Sequence, residues 1–182
     1  MSEVSNMDQN EIKEEETLAL CIQQALLKSV QMQEQGRPQH KILACLITAA
    51  EEIAGNNAVA SILVLDKEGL LRNGCSPKLP YDYLTAIDGL KPNAKVGTCA
   101  AAAATGCVVI TDDFMADDKW QELRHLPLSL GFVGAWSMPI KSPAGKVLGT
   151  FGTYFREKRR PSPEDIIAVG YLADAAAKII KN

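Results

Sequence analysis

The chain has 182 residues, 47% hydrophobic and 23% charged, with a formal net charge of −3. That is the size of one domain plus an extension, and the composition excludes a disordered chain. A chain of this length buries roughly 70% of the surface its unfolded form exposes, enough for one core.

The basic cluster Arg156 to Arg160 is interrupted by Glu157 and reads as a solvated loop. Without a broad positive face to displace counterions from phosphates, no nucleic-acid partner is expected. No run approaches the ~20 apolar residues that span a bilayer, and Met1-Ser2-Glu3 begins a polar stretch with no leader-type segment. A cytoplasmic location with no membrane contact is therefore expected. The five cysteines, Cys21, Cys45, Cys75, Cys99 and Cys107, include no Cys-x-x-Cys pair, and His40 and His125 alone could join them. No metal site is expected, and the cysteines read as buried thiols of a reducing compartment.

Residues 1–10 are polar and are expected to be disordered. Residues 11–36 form an amphipathic helix with Ile12, Ala19, Ile22, Leu26 and Val30 on one face. Gly36 and Pro38 end it. That apolar face has no obvious place in a minimal core, which makes the helix a candidate for dimerisation. The domain proper then occupies residues 37–182. A second helix carries Ile42, Leu43, Leu46, Ala50 and Ile53, and stops at Gly55-Asn56-Asn57.

The period then changes. Val59 to Leu65 is a strand-length apolar run, and Asp66 to Gly69 turns it into a partner strand, Leu70 to Gly74. Tyr81 to Leu90 reads as a short helix. Thr98 to Thr105 is almost pure alanine, a strong helix former, with Gly106 as its stop. Val108 to Ile110 is a strand, Asp112-Asp113 and Asp117-Asp118 flank a solvated acidic turn, and Trp120 to Leu130 reads as helical. Phe132 to Lys141 and Lys146 to Phe155 are strands joined by a Ser-Pro-Ala-Gly turn. The last helix has Ser162 as N-cap, Pro163 at its first position and Asp165 three residues after the cap. Two hairpins and three long helices imply an α+β layered fold, with the N- and C-terminal helices on one face of an antiparallel sheet.

Several segments, taken in order, resemble the GAF domain family. Val96-Gly97-Thr98-Cys99-Ala100-Ala101-Ala102 is similar to its Gly-x-Cys-x-x-Ala-Ala stretch. Val108 to Asp113 resembles the strand and acidic turn that follow. Gly134 to Ile140 with Gly145 to Phe151 resembles its central hairpin, and Tyr154 with Arg159 to Glu164 the lead-in to its last helix. The resemblance implies a six-stranded antiparallel sheet of GAF/profilin type with helices on both faces. It also implies a ligand cavity beside the sheet, and flanking helices that form a homodimer and carry a signal to a partner such as a sensor kinase.

A helix N-terminus leaves backbone N–H groups without intrahelical partners, and its dipole favours negative charge. Val96, Gly97, Thr98, Cys99, Ala100 and Ala101 are therefore candidate ligand-binding residues, suited to a small anion or a carbonyl. The alternative is that Thr98 caps its own helix and the alanines only pack. Trp136, Tyr83 and Ile87 are candidate cavity walls, whereas Trp120 reads as a surface anchor. Cys99, near a helix start, resembles the cysteine of the free-methionine-(R)-sulfoxide reductases within the family, but residues 81–98 lack the further upstream cysteine of those enzymes. The resulting expectation is a non-enzymatic sensory domain of two-component type for a small cytoplasmic ligand. A thiol reductase using Cys99 and a ligand-free dimerisation module are the alternatives. The cofactor is left unknown.

Overall fold

The computed structural model describes residues 2–55 and 57–181, with residues 2–15 described in the backbone alone. Asn56, placed by sequence at the end of the second helix, lies outside the described residues. The elements run α1 (Ser2–Glu34), α2 (Gln39–Ala54), β1 (Val59–Leu65), β2 (Leu71–Cys75), α3 (Tyr81–Ile87), α4 (Thr98–Thr105), β3 (Val109–Thr111), α5 (His125–Ser129), β4 (Gly134–Lys141), β5 (Val147–Phe155) and α6 (Pro163–Ile179). A 3-10 turn, Asp118–Trp120, precedes α5.

The backbone of α1 is helical from Ser2, nine residues before the expected start at Glu11. No Gly or Pro interrupts the chain before Gly36, so nothing local stops the helix from extending. Two helix ends follow their sequence signals closely. Gly106 takes a left-handed conformation after α4 and its N–H returns to Ala102 O. At α6 the Ser162 Oγ accepts from the Asp165 N–H at 3.1 Å, while the Asp165 carboxylate accepts from the Ser162 N–H at 2.9 Å. Those two bonds satisfy donors that a bare helix start leaves orphaned.

The sheet is antiparallel in the order β2-β1-β5-β4-β3. It has five strands among the described residues, not the expected six. A further segment reaches its edge only at Leu90, which bridges Leu71. Pro92 follows, and its missing N–H cannot continue a ladder. The helix expected over Trp120 to Leu130 is also broken up. Pro127 sits inside it and cannot donate to residue 123, so a 3-10 turn and the five-residue α5 replace it.

Helices α2 and α6 cover one face of the sheet with α1 packed on the outside of both, and α4 covers the other face. The first core contains Leu43, Leu46, Ile62, Trp136, Phe151 and Leu172; the second contains Leu63, Tyr83, Phe114, Trp120, Phe132 and Tyr154. Helix α1 contributes Ala25 to the first core, while Leu20, Leu27 and Val30 on the same helix are more than half exposed.

The basic and acidic loops, read from sequence as two solvated segments, pair with each other. Lys158 meets Asp113 at 2.7 Å and Arg160 meets Asp112 at 3.6 Å. Arg159 is only partly exposed: it donates to Ala54 O at 2.7 Å and lies over the Phe155 ring. The charges cluster because each loop neutralises the other. Among the described residues no helix is long and apolar enough to cross a membrane.

Candidate functional site

Strands β1, β5 and β4 form the floor of the site. In their register Ser61 faces Gly152, and Gly152 faces Ser137. The missing side chain of Gly152 is what lets α4 come close. A β carbon there would lie 3.0 Å from Cys99 Sγ, 3.2 Å from Ser61 Oγ and 3.5 Å from Ser137 Oγ. One row above lie Val59, Tyr154 and Ala135; one row below lie Leu63, Thr150 and Pro139. Side chains on a strand alternate between faces, so these nine positions share the side that α4 covers.

Ser137 Oγ donates to Thr98 Oγ1 at 3.0 Å and lies 3.1 Å from Cys99 Sγ. A hydroxyl has one proton, so the Cys99 thiol is the donor to Ser137. Burial pushes the Cys99 pKa up, and the hydrogen bond with Ser137 offsets this only in part. Cys99 is therefore a protonated, buried thiol, and the geometry gives no support to a nucleophilic role. Beside it, Tyr83 OH donates to Tyr154 OH at 3.0 Å with the rings edge to face. Burial raises the pKa of both phenols.

The start of α4 is held by backbone. Gly97 has φ +54, a conformation that residues with a side chain rarely adopt, and no side chain caps the helix. Thr98, which sequence left as a possible cap, instead accepts from Ser137. The Gly97 N–H donates to Lys119 O at 2.8 Å, which ties α4 to the 3-10 turn. That turn carries Trp120 inward. A β carbon on Gly97 would lie 3.7 Å from the Trp120 ring, and Trp120 packs on Phe114 at 4.3 Å between ring centroids.

Trp120 is 4% exposed and is not the expected surface anchor. The acidic residues around it hid this, because one of them builds the turn. Asp117 accepts from the Lys119 N–H at 3.0 Å and from Thr111 Oγ1 at 2.6 Å. Burial pushes its pKa up, but hydrogen bonds from Lys119 and Thr111 outweigh that and hold it below the ordinary value. A Trp beside paired aspartates in a short loop was the available signal: the carboxylates fold the turn and the ring fills the core.

These elements enclose a cavity of about 20 Å³, enough for a water molecule or a small group. Val96, Gly97, Thr98, Cys99 and Ala100 line it from α4, and Tyr83 and Ile87 from α3. Leu63, Leu90, Trp120, Leu123 and Tyr154 complete the wall. Ala101 is buried without reaching the cavity. Trp136 is on the wrong face for it: one residue out of phase with Ala135 and Ser137, it packs in the core under α2 and α6. No charged side chain lines the cavity among the described residues. Trp120 Nε1, on the wall, is buried without a hydrogen-bond partner among the described residues; Ser61 Oγ, Thr150 Oγ1 and Thr153 Oγ1 are also buried without one, on residues that do not line the cavity. No cluster of three or more potential metal-ligating residues occurs among the described residues.

The sheet and its helices agree with comparisons to known proteins. The methyl sulfide methyltransferase-associated sensor of Methanosarcina acetivorans is 32% identical over 179 residues, a match that takes in 96% of this chain and 17% of that protein. The chain thus spans well under a fifth of its relative. A domain of a putative two-component sensor histidine kinase from Sinorhizobium meliloti superposes with a TM-score of 0.63 at 19% identity, covering 76% of this chain and 87% of that one. The free methionine-R-sulfoxide reductase of Neisseria meningitidis, solved with its substrate, superposes with a TM-score of 0.66 at 17% identity, covering 90% and 89%. At such identities the two structures share the fold alone. The family model for the GAF domain matches residues 37–181, and the chain belongs to the GAF domain family.

Proposed function

We propose that this GAF domain is a non-catalytic, cytoplasmic sensory module that binds a small molecule beneath α4. The observation that carries the reading is Trp120 Nε1, buried and without a partner beside the uncapped start of α4. Buried polar groups are nearly always hydrogen-bonded, so a cavity wall that keeps one unpaired has a polar occupant to meet. The name of the Methanosarcina relative, a sensor, and the kinase origin of one structural neighbour support a signalling role of two-component type.

The signal would leave through α1 and α6. Leu20, Leu27 and Val30 on α1, and Ile167 and Tyr171 on α6, are large apolar side chains open to solvent. They suit a helix bundle with a second copy of the chain, which a partner such as a sensor kinase would read. A ligand that favours one arrangement of these helices shifts the population of the two.

The test is native mass spectrometry of the purified protein, followed by a thermal-shift screen with amino acids, nucleotides, nitrate, nitrite and small carboxylates. A ligand at ~100 times its dissociation constant stabilises the fold by about 2.7 kcal/mol. A bound mass or a saturable shift is the expected result. A dimer with neither would favour a ligand-free dimerisation module.

A further inference from the structure

A depression of about 490 Å³ at one end of the sheet is lined by four cations, Lys67, Arg72, Lys146 and Lys181, and by one carboxylate, Asp66. The cations come from separate segments: Lys67 from the turn after β1, Arg72 from β2, Lys146 from the turn before β5 and Lys181 from the chain just after α6. Antiparallel pairing brings the two turns together, because Val64 near the end of β1 faces Gly149 near the start of β5. Such a concentration of positive charge runs against a chain of net charge −3. The nearby aspartates are committed to Arg72. Asp66 accepts from Arg72 Nε at 2.8 Å and from the Glu68 and Leu70 N–H groups at 2.9 Å each, and Asp88 accepts from Arg72 at 2.6 Å. Lys67, Lys146 and Lys181 are exposed, and none of them forms an ion pair among the described residues. Glu68, beside Lys67 in the chain, does not line the depression.

Like charges around one hollow repel one another, and an anion among them turns that repulsion into attraction. One exposed ammonium holds a single negative charge only weakly, because water and salt screen the pair. A ligand with several negative charges meets several ammonium groups for one loss of translational freedom, which a monovalent ion cannot do. The volume lies in the range of small-molecule sites, roughly 300–1,000 Å³. We propose that this depression binds a compact multivalent anion, with two or more phosphate or carboxylate charges, through Lys67, Lys146 and Lys181. It shares no lining residue with the cavity beneath α4, so it is a second site and stands apart from the sensory reading above. The Lys181 N–H donates to Gln39 Oε1 at 3.0 Å, which holds the chain after α6 against the start of α2. An anion shared by Lys181 and the two turns ties the end of α6 to the sheet.

The full chain is titrated at low ionic strength with sodium pyrophosphate, sodium citrate and sodium acetate in turn, and binding is followed by isothermal titration calorimetry. Pyrophosphate and citrate are expected to saturate at one per chain, more weakly as salt is added, and acetate to give no saturable heat. Lys146→Gln and Lys181→Gln should each weaken the binding about threefold to tenfold. Lys95→Gln removes the same charge from an exposed position outside the depression and should leave the binding unchanged. All three changes are on exposed side chains, and circular dichroism checks that each variant keeps the parent fold. Saturation by pyrophosphate alone, or by citrate alone, would support the site and assign it to phosphates or to carboxylates. No saturation by either would overturn the proposal. An equal loss in Lys95→Gln would reduce it to attraction by net charge, and no loss in Lys146→Gln and Lys181→Gln would remove the anion from this depression. Acetate binding as tightly as pyrophosphate would overturn the multivalent class.

Discussion

Cys99 Sγ on α4 and Ser137 Oγ on β4 lie 3.1 Å apart, and both sit over the bare backbone of Gly152. This contact sets how closely α4 approaches the sheet. A methyl group on Gly152 would stand 3.0 Å from the sulfur, closer than van der Waals contact allows. Gly152→Ala is expected to destabilise the protein by about 1–3 kcal/mol, as overpacking does in a filled core. Adding Cys99→Ala should recover part of that loss. Thermal melts of the two single variants and the double variant measure the coupling, and strict additivity would show that the two residues do not compete for space.

The cysteines should react in order of burial. Cys107 is exposed and Cys99 is buried. Cys75, which hydrogen-bonds to His40 O, is pushed up to about 11 by burial. Near neutral pH, iodoacetamide should label Cys107 first and reach Cys99 only as the protein unfolds. The raised folded pKa of Cys99 means that its contribution to stability is full below the ordinary thiol value of 9.0 and is lost as pH rises through the folded value. Peptide mapping after brief labelling reports the order. Fast modification of Cys99 in the folded protein would revive a reductase reading.

Trp120 supports the start of α4 by packing as well as by its N–H. Trp120→Ala should cost about 3–5 kcal/mol, the range for removing a large buried aromatic. Trp120→Phe should cost much less, because it keeps the stacking on Phe114 and loses an N–H that has no partner in the protein. Denaturant melts compare the two. Equal losses would mean that the aromatic packing contributes little.

Acid should loosen the Trp120 turn. The Asp117 carboxyl is held below its ordinary 3.8, so its contribution is full above that value and is lost as pH falls through the folded one. Asp117→Asn should remove this part of the acid sensitivity while leaving behaviour near neutrality less stable than the parent. Trp fluorescence during an acid titration, with parent and variant side by side, reads the transition.

The exposed side of α1 should control association. Leu20→Lys with Leu27→Lys changes two large apolar side chains that touch none of the core. The double variant is expected to be monomeric and to keep its fold. Sedimentation velocity checks the first and circular dichroism the second. Deleting residues 1–35 is a harsher change, because Ala25 and Ser29 are buried and their loss uncovers α2 and α6.

Local chemistry alone was enough for much of the fold. The alanine run with Gly106, the Ser162–Asp165 cap and the Ser142–Gly145 hairpin turn depend only on residues a few places apart. Seven of the eight residues singled out around α4 and α3 meet at one cavity, because a helix start and a short amphipathic helix both advertise the face they bury. What the chain could not reveal locally was which strand face that would be. Alternation puts Trp136 opposite Ser137, but only the path of α4 across β4 and β5 decides that Ser137 lies under the helix and Trp136 behind it. Trp120 entered the site for the same reason: a turn folded by Asp117 through residues two and six places away is carried inward by the tie of Lys119 to Gly97, 22 places back. Pro92 reduced the sheet to five strands, and the acidic and basic loops found each other across the fold. Such pairings are set by tertiary closure, which periodicity and propensity do not encode.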